Sequence, residues 1–335
     1  MTESAPGIAD ANADMERTSR VDFRATSDPA LQAGTGADIK LLGPGELYLL
    51  WERQHWQSQK IDFSQDRIDW HDRMSEEERV QRMYGLSSFF VGEQRVAAQL
   101  APLMGAISDE DARALLCTQI ADEARHVAFF DRFYSEVGIL QADSLSDRLA
   151  ETSQYLNPEF TTLFDEMLAS RGRRLWQEPE DREVAVEFVT IYHLVVEGML
   201  GLTGQHFMIR YNEQAGTLPG FVEGFSNVAR DEHRHVAFGA WFLRDMARRD
   251  RRYADAIRRT LVEVVPIADG VLRPNWMQNM SDEDVALFGV SGQNNADLRR
   301  AGAVAPPEGR HGRRDAALSA GRSRVRCGRP PVRRR

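Results

Sequence analysis

The sequence predicts an all-α protein built as a bundle of long helices. Apolar residues recur every three or four positions through several long stretches, whereas the Val/Ile/Thr alternation typical of strands is nearly absent. Residues that commonly begin helices stand just before these stretches. The 335 residues are 42% hydrophobic and 28% charged, an ordinary globular composition, and the length allows one large domain or two smaller ones.

The boundaries of the helices follow from their capping residues. Ser75 and Glu78 form a capping box, in which each side chain satisfies a backbone N–H of the other, before the first long helix. Asn157 followed by Pro158 is typical of an N-cap and a first helical residue. In chain order we predict apolar clusters over 41–70 and helices over 75–106, 108–137 (beginning at Ser108 with Asp111), from 158, over 180–213 (beginning after Pro179), 218–249 and 251–273.

The composition divides the chain into three parts. Residues 1–36 are rich in small and polar residues and are predicted to form a flexible arm, residues 37–293 form the helical domain, and residues 294–335 form a basic tail. The tail from Arg299 onward carries a net charge of +10, so the rest of the chain carries −19. Two explanations of the tail remain open, a disordered basic segment or a C-terminus translated in a shifted frame, and we assign it no role.

Several classes of protein are disfavoured by simple counts. Mild acidity argues against nucleic acid as the main partner. Cys117 and Cys327 cannot make a disulfide framework, and residues 1–14 lack an export pattern, so we expect a cytoplasmic protein. No uninterrupted apolar run approaches the ~18 residues of a membrane helix, so we expect no stable membrane insertion.

An eight-residue pattern occurs twice, 109 positions apart. Residues 122–129 (DEARHVAF) and 231–238 (DEHRHVAF) agree at seven positions, and each contains Glu-x-x-His. On a helix, residues three apart share one face, so Glu123 with His126, and Glu232 with His235, can each bind one metal ion. The spacing alone is weak, because Glu-x-x-His also occurs at 52–55 and 308–311.

Two further glutamates strengthen the prediction of a metal site. Glu93 and Glu197 each stand in an apolar stretch, on the helix that precedes a motif helix. The order Glu, Glu-x-x-His, Glu, Glu-x-x-His on four helices is that of ferritin-like di-iron or di-manganese bundles. Two divalent cations would neutralise four buried carboxylates, and this ligand set favours iron or manganese over structural zinc. The alternative is a bundle with buried Glu–Arg pairs.

Further charged and small residues stand beside the motifs. Asp122 and Asp231 precede the motif glutamates and are candidates for acceptors that hold a histidine N–H, with a solvated residue as the alternative for Asp122. Arg125 and Arg234 are expected to form solvent-facing salt bridges, with pairing to a ligand head group as the alternative. The glycines at 198, 201 and 204 indicate close approach by a ligand or by a neighbouring helix.

The chain resembles the ribonucleotide reductase small-subunit superfamily over residues 45–292. The resemblance rests on the chelating motifs, on Trp56 and residues 61–70 (IDFSQDRIDW), and on residues 230–232 (RDE). Residues 195–204 (VVEGMLGLTG) are most similar to the small-subunit-like ligand-binding oxidases. That branch implies a ferritin-like fold, one Mn and one Fe, dioxygen activation, a bound long-chain fatty acid or similar hydrophobic ligand, and a homodimer. It also implies an ether cross-link between Val96 and Tyr192.

Departures from that branch keep alternatives open. Gln205 stands where a tyrosine is expected, and His193 is either an extra metal ligand or, as we favour, a core residue. A reductase small subunit with two Fe is the main rival, although its radical tyrosine would stand at Phe130 and no tyrosine follows Tyr253. A non-catalytic metal or lipid binder is the third possibility. We expect the ligand pocket to be lined by Phe89, Phe90, Phe129, Phe130, Met199 and Leu200.

Overall fold

Within residues 41–273, the part of the chain that the computed structural model describes, the secondary structure is helical and contains no strand. The predicted arm at 1–36, the tail at 294–335 and the last part of the predicted domain lie outside these residues. The helices are α1 Pro44–Arg53, α2 Ser64–Ile68, α3 Glu76–Ala106, α4 Glu110–Val137, α5 Leu145–Ser153, α6 Pro158–Thr161 with its continuations Thr162–Leu168 and Ala169–Gln177, α7 Arg182–Ala215, α8 Pro219–Arg249 and α9 Arg251–Val271.

Two long helix pairs form the centre of the bundle. Helix α3 packs along α4, and α7 packs along α8, while α4 also contacts α8 across the bundle. Helix α9 covers α7, and α1 lies against α4. The all-α prediction is therefore confirmed, and the four helices that carry the predicted metal ligands are neighbours in space.

The local sequence explains where most of these helices begin. The Ser75–Glu78 capping box is present, and Asn157 caps α6 with Pro158 as its first residue. Two predicted starts are wrong by a few residues. Asp109, rather than Ser108, caps α4 and accepts the Ala112 N–H, and Asp181, rather than Pro179, caps α7 and accepts the N–H groups of Glu183 and Val184.

The start of α8 is capped by a distant part of the chain. Asp66 accepts the backbone N–H groups of Gly220 (2.8 Å) and Phe221 (2.7 Å), and Asp69 accepts that of Leu218 (2.8 Å). Leu218 has a φ of 53°, in the left-handed region that costs free energy for a residue other than glycine. The aspartates of the 61–70 motif thus anchor α8, which carries the second Glu-x-x-His.

The middle of α7 is wider than an α-helix. Thr190–Gly201 forms a π-helix, whose N–H groups bond to carbonyls five residues back, as Leu202 does to Glu197. On an α-helix, Tyr192 and Glu197 would point about 140° apart, whereas the wider turns of the π-helix bring them closer to one face. Widened turns of this kind are frequent at functional sites.

Helix α7 is unusually apolar for its length, although charged and polar residues interrupt its apolar runs. By length and hydropathy it could cross a membrane, but 72% of its apolar window is buried inside the protein. It is the core helix of the bundle, and no membrane insertion is indicated.

The hydrophobic core forms two clusters, which divide the predicted pocket residues. Phe90, Phe129 and Phe130 lie fully buried in one cluster, with Phe89 packed against it. Leu200 belongs to the other cluster, with Met199 against it. Gly204 on α7 serves helix packing, since a β-carbon there would meet the Phe89 ring at 2.9 Å.

Candidate metal centre

The bundle brings the six predicted ligand residues together at its centre. Their relative exposure is 6% or less. Their side-chain nitrogen and oxygen atoms form two groups, each with all atoms within 4.8 Å of one another. The first group is Glu93, Glu123, His126 and Glu232, and the second is Glu123, Glu197, Glu232 and His235.

The two groups share the glutamates of the repeated motif. Glu123 and Glu232 belong to both groups, whereas Glu93 and Glu197 belong to one each. Each Glu-x-x-His motif therefore contributes its histidine to one group and its glutamate to both. Helices α4 and α8 face each other across the centre, so that each motif glutamate reaches both groups, and the arrangement can hold two ions.

Each histidine turns its Nδ1 atom toward the carboxylates. His126 Nδ1 lies 3.3 Å from Glu93, 3.4 Å from Glu232 and 3.7 Å from Glu123. His235 Nδ1 lies 3.2–3.5 Å from Glu232, Glu123 and Glu197. One N–H cannot donate a hydrogen bond to three acceptors at once. The convergence of one ring nitrogen and three carboxylates instead suits side chains that bind a common cation.

The other ring nitrogen of each histidine contacts the aspartate of the opposite motif. His126 Nε2 lies 3.2 Å from Asp231, and His235 Nε2 lies 3.2 Å from Asp122. An ionised carboxylate only accepts, so these bonds require a proton on Nε2, and in the neutral ring the Nδ1 lone pair is then free for a metal. Both aspartates thus accept from a histidine, and the solvated alternative for Asp122 is wrong, since its exposure is 1%.

The expected solvent-facing salt bridges of Arg125 and Arg234 are also wrong. The side chain of Arg234 is 3% exposed and that of Arg125 is 11% exposed, and both pair with Asp122 and Asp231. The arginines turn inward because the two aspartates are buried and need compensating charge.

Two tryptophans on the N-terminal segment add further donors to these aspartates. Trp51 Nε1 donates to Asp122 at 2.8 Å, and Trp56 Nε1 donates to Asp231 at 2.7 Å. Trp56 stood out in the sequence, but Trp51 did not, since a single tryptophan on a short helix carries no pattern of its own.

The pKa shifts follow from burying so many carboxylates together. Burial raises the pKa of Glu93 and of Glu197 well above the ordinary value, although a neighbouring histidine opposes the shift in each case. Burial also raises the pKa of Glu232, but His235 and His126 outweigh it and bring that pKa to about 2. With protein groups alone, the charges of the cluster are poorly balanced.

Two cations fit this arrangement. Oε2 of Glu123 and Oε2 of Glu197 are buried and have no hydrogen-bond partner, which costs free energy unless something else binds them. Four carboxylates and two imidazoles, without a thiolate, are the donors preferred by iron and manganese rather than by structural zinc. Two divalent ions would neutralise the four carboxylates.

His193 lies beside the centre but outside both groups. It is fully buried, and its Nε2 lies 3.2 Å from Oε1 of Gln119, whose amide donates to Glu197 at 2.9 Å. Burial lowers the pKa of His193 to about 3, which keeps the ring neutral. The core interpretation agrees with this position. Gln119, which the sequence analysis missed, connects His193 to the ligand residues through its hydrogen bond to Glu197.

Other residues singled out in the sequence also lie in the core. Val96 is buried, and the buried Tyr192 donates its hydroxyl to Glu123 at 3.1 Å. Gln205 is buried, with its Oε1 unpartnered. Phe130 packs among aromatic rings, including Phe225 at 5.6 Å between centroids.

Fold and site together define a class, the ferritin-like helical bundles whose buried carboxylate–histidine cluster can hold two metal ions. Residues 43–288 match the family described as ribonucleotide reductase, small chain. The chain belongs to this family.

Solved structures similar to this chain carry a mixed cofactor. One is a variant of an R2-like ligand-binding oxidase with an anaerobically reconstituted Mn/Fe cofactor. It is 26% identical, with a TM-score of 0.68 over 78% of this chain and 93% of that chain. Another, with an aerobically reconstituted Mn/Fe cofactor, is 27% identical, with a TM-score of 0.63 over 77% and 83%. The predicted dinuclear Mn/Fe cofactor agrees with these structures and with the buried cluster, and two irons are compatible with the same donors.

Proposed function

We propose that this protein is a dinuclear metal oxidase that activates dioxygen for the two-electron oxidation of a hydrophobic, fatty-acid-like ligand. The observation that carries the proposal is the pair of overlapping donor groups, in which two carboxylates are common to both. Such sharing suits two ions held close enough to act on one dioxygen molecule.

The proposed metal ligands are the six residues of the two groups. Glu93 and His126 would hold one ion and Glu197 and His235 the other, with Glu123 and Glu232 between them. When bound, the metal pair supplies the redox chemistry that reduces dioxygen and makes C–H oxidation possible. The protein contributes the fixed histidine tautomers, a buried environment that excludes water, and the hydroxyl of Tyr192 beside Glu123.

The hydrophobic ligand is proposed from two kinds of support. The similar solved structures are named as ligand-binding oxidases. In this chain two hydrophobic core clusters make up the interior in which the six ligand residues are buried. One contains Phe90 and Phe130, and the other contains Leu200. An apolar ligand would add to these surfaces without leaving polar groups unpaired.

We also propose an ether cross-link between Val96 and Tyr192. Both residues are buried in the same core cluster, and the Tyr192 hydroxyl lies beside a proposed ligand, Glu123. The bond would join the tyrosine oxygen to a valine carbon with loss of one hydrogen from each. Dioxygen, the oxidant that the proposed oxidase consumes, would accept these two electrons and two protons.

A reductase small subunit is the second candidate function, since the family match is to that chain. In that case the metal pair would serve a separate large subunit rather than a bound ligand. The position four residues after His126, where a radical tyrosine is expected, holds Phe130. The oxidase is therefore the better-supported function.

The test is reconstitution of metal-free protein with Mn(II) and Fe(II), with and without air, followed by metal analysis and intact-mass measurement. The oxidase predicts one Mn and one Fe per chain, oxygen uptake, and a mass loss of two hydrogen atoms that maps to the peptides of Val96 and Tyr192. Two irons, no mass change and a stable radical would favour the reductase subunit. Fewer than one metal per chain would contradict the dinuclear site.

We further propose that the protein acts as a cytoplasmic homodimer. Cys117 is free and exposed, which suits a reducing compartment. Light scattering of the purified protein would test the dimer, and a mass of one chain would contradict it.

A further inference from the structure

Four charged residues form a closed ring behind the two histidines. Arg125 pairs with Asp122 on its own helix and with Asp231 across the bundle at 2.9 Å. Arg234 pairs with Asp231 on its own helix at 2.6 Å and with Asp122 across the bundle at 2.9 Å. Each arginine thus contacts both aspartates, and we call these four residues the ionic quartet.

The ionic quartet is shielded from water and supported from outside. The aspartates are 1% exposed or less, and Arg234 also donates to Gln54 at 2.6 Å. The Arg125 guanidinium lies 5.1 Å from the ring centroid of Trp56, in a cation–π contact. In so dry a setting, removal of one charge leaves the others uncompensated, so the four residues are expected to act as a unit.

The quartet touches both metal positions through the histidines. Asp231 holds His126 of the first donor group, and Asp122 holds His235 of the second, each at 3.2 Å. An arginine that moved would therefore disturb both aspartates and, through them, both histidines.

From this geometry we infer that Arg125 and Arg234 are positioning residues that lock both histidines in the metal-binding orientation and so couple the two metal positions. Neither arginine touches a ligand atom of the cluster in the described structure. The inference rests on the proposed dinuclear site. It adds two arginines that affect metal binding only through the aspartates and histidines, and that affect both metal positions.

The experiment is anaerobic titration of the metal-free full chain with Mn(II) alone, with free Mn(II) followed by electron paramagnetic resonance. R125Q and R234Q remove one charge each. R249Q is the matched control, because Arg249 lies on α8 like Arg234 but its side chain is 69% exposed. R125K keeps the charge but cannot span two carboxylates with a planar fork.

We expect R125Q and R234Q each to weaken Mn(II) binding at both positions by about 10–100-fold, the usual effect of groups that orient metal ligands. R125K should fall between R125Q and the wild type, and R249Q should match the wild type. Selective ¹⁵N labelling of histidine should also detect a changed tautomer balance at His126 and His235 in R125Q. A merely structural role would leave that spectrum unchanged.

Wild-type affinity in R125Q and R234Q would overturn the inference, and so would weakening of only one of the two positions. If R234Q fails to fold, R125Q decides, since Arg125 is nearer the surface. Failure of the proposed dinuclear site is distinguishable, because the wild-type protein itself would then bind fewer than two Mn(II) ions, and failure of the oxidase function alone would leave these titrations unchanged.

Discussion

The hydroxyl of Tyr192 links the hydrophobic core to the cluster of ligand residues. It donates to Glu123, one of the two glutamates shared by both donor groups. Burial and the nearby carboxylates raise the pKa of Tyr192 well above its ordinary value, so the hydroxyl keeps its proton. One substitution here therefore tests both the hydrogen bond and the proposed cross-link.

The change Tyr192→Phe removes the donor to Glu123 and the oxygen of the proposed ether. We expect no mass loss after reconstitution in air and a decrease of about 0.5–1.5 kcal/mol in the free energy of unfolding. Intact-mass spectrometry and urea unfolding measure the two effects. Tyr134→Phe is the matched control, because Tyr134 is also fully buried and its hydroxyl has no hydrogen-bond partner. Loss of the mass change in that control would contradict the assignment to Tyr192.

A second prediction at the residue scale concerns the space that His193 occupies. A β-carbon at Gly239 would overlap the His193 side chain, so Gly239→Ala should lower the free energy of unfolding by about 1–3 kcal/mol. Gly105→Ala is the control, since nothing lies within 4 Å of the added carbon, and it should be neutral or stabilise by up to about 1 kcal/mol. The free energy of unfolding of both variants is measured by chemical denaturation. Equal changes would show that helix propensity, rather than packing against His193, determines the effect of Gly239→Ala.

At the scale of elements, the motif at 61–70 acts as the cap of α8. Asp66 and Asp69 satisfy N–H groups that the first turn of α8 cannot satisfy itself. Because α8 carries Glu232 and His235, the position of two of the six candidate ligand residues depends on this contact.

The pH dependence of stability should report the Asp69 cap. Burial raises the pKa of Asp69, but bonds from Gln65, the Leu218 N–H and Arg73 outweigh it and leave that pKa below its ordinary value. The stabilisation is therefore complete above about pH 4, the unfolded value, and is lost as the pH falls through the lower folded value. Asp69→Asn should lower the free energy of unfolding by about 1–3 kcal/mol at neutral pH.

The difference between Asp69→Asn and the wild type should shrink as urea unfolding is repeated at pH values below about 4. Asp72→Asn, at an exposed position on the same turn, is the control and should have little effect. A difference that stays constant down to low pH would contradict a charged cap.

At the scale of the whole molecule, function opposes stability. The bundle buries four glutamates and two histidines where a hydrophobic core would otherwise pack. Metal ions that bind the folded chain alone should stabilise it by about 2.7 kcal/mol per site at a hundredfold excess over the dissociation constant. The melting temperature of metal-free protein should therefore rise with Mn(II) and fall again with a chelator.

Glu123→Gln should abolish most of this metal-dependent rise, because Glu123 belongs to both donor groups. Glu110→Gln, on the same helix but with a side chain 82% exposed, should keep it. Differential scanning fluorimetry across a Mn(II) series measures both. A full metal-dependent rise in Glu123→Gln would contradict the shared role of this carboxylate.

The grouping of the six candidate ligand residues was predictable from the sequence, because a glutamate in an apolar stretch of helix needs a partner. The apolar surroundings of Glu93 and Glu197 therefore predicted that these residues lie beside the two Glu-x-x-His motifs. Which glutamates are shared was not predictable, since that depends on how α4 and α8 face each other. The inward turn of Arg234 was missed for the same reason, because its partner Asp122 lies 112 positions away in the chain.

The widened turns of Thr190–Gly201 make this part of the chain sensitive to length rather than to composition. Tyr192 and Glu197 both face the cluster because the wider turns of a π-helix bring residues five apart toward one face. Deletion of a single residue between them would leave a spacing of four, which an ordinary α-helix also places on one face, so a return to α-helical turns would absorb the deletion. An insertion without further widening would instead rotate one partner by about 100° relative to the other and turn either the tyrosine or the glutamate away from the cluster.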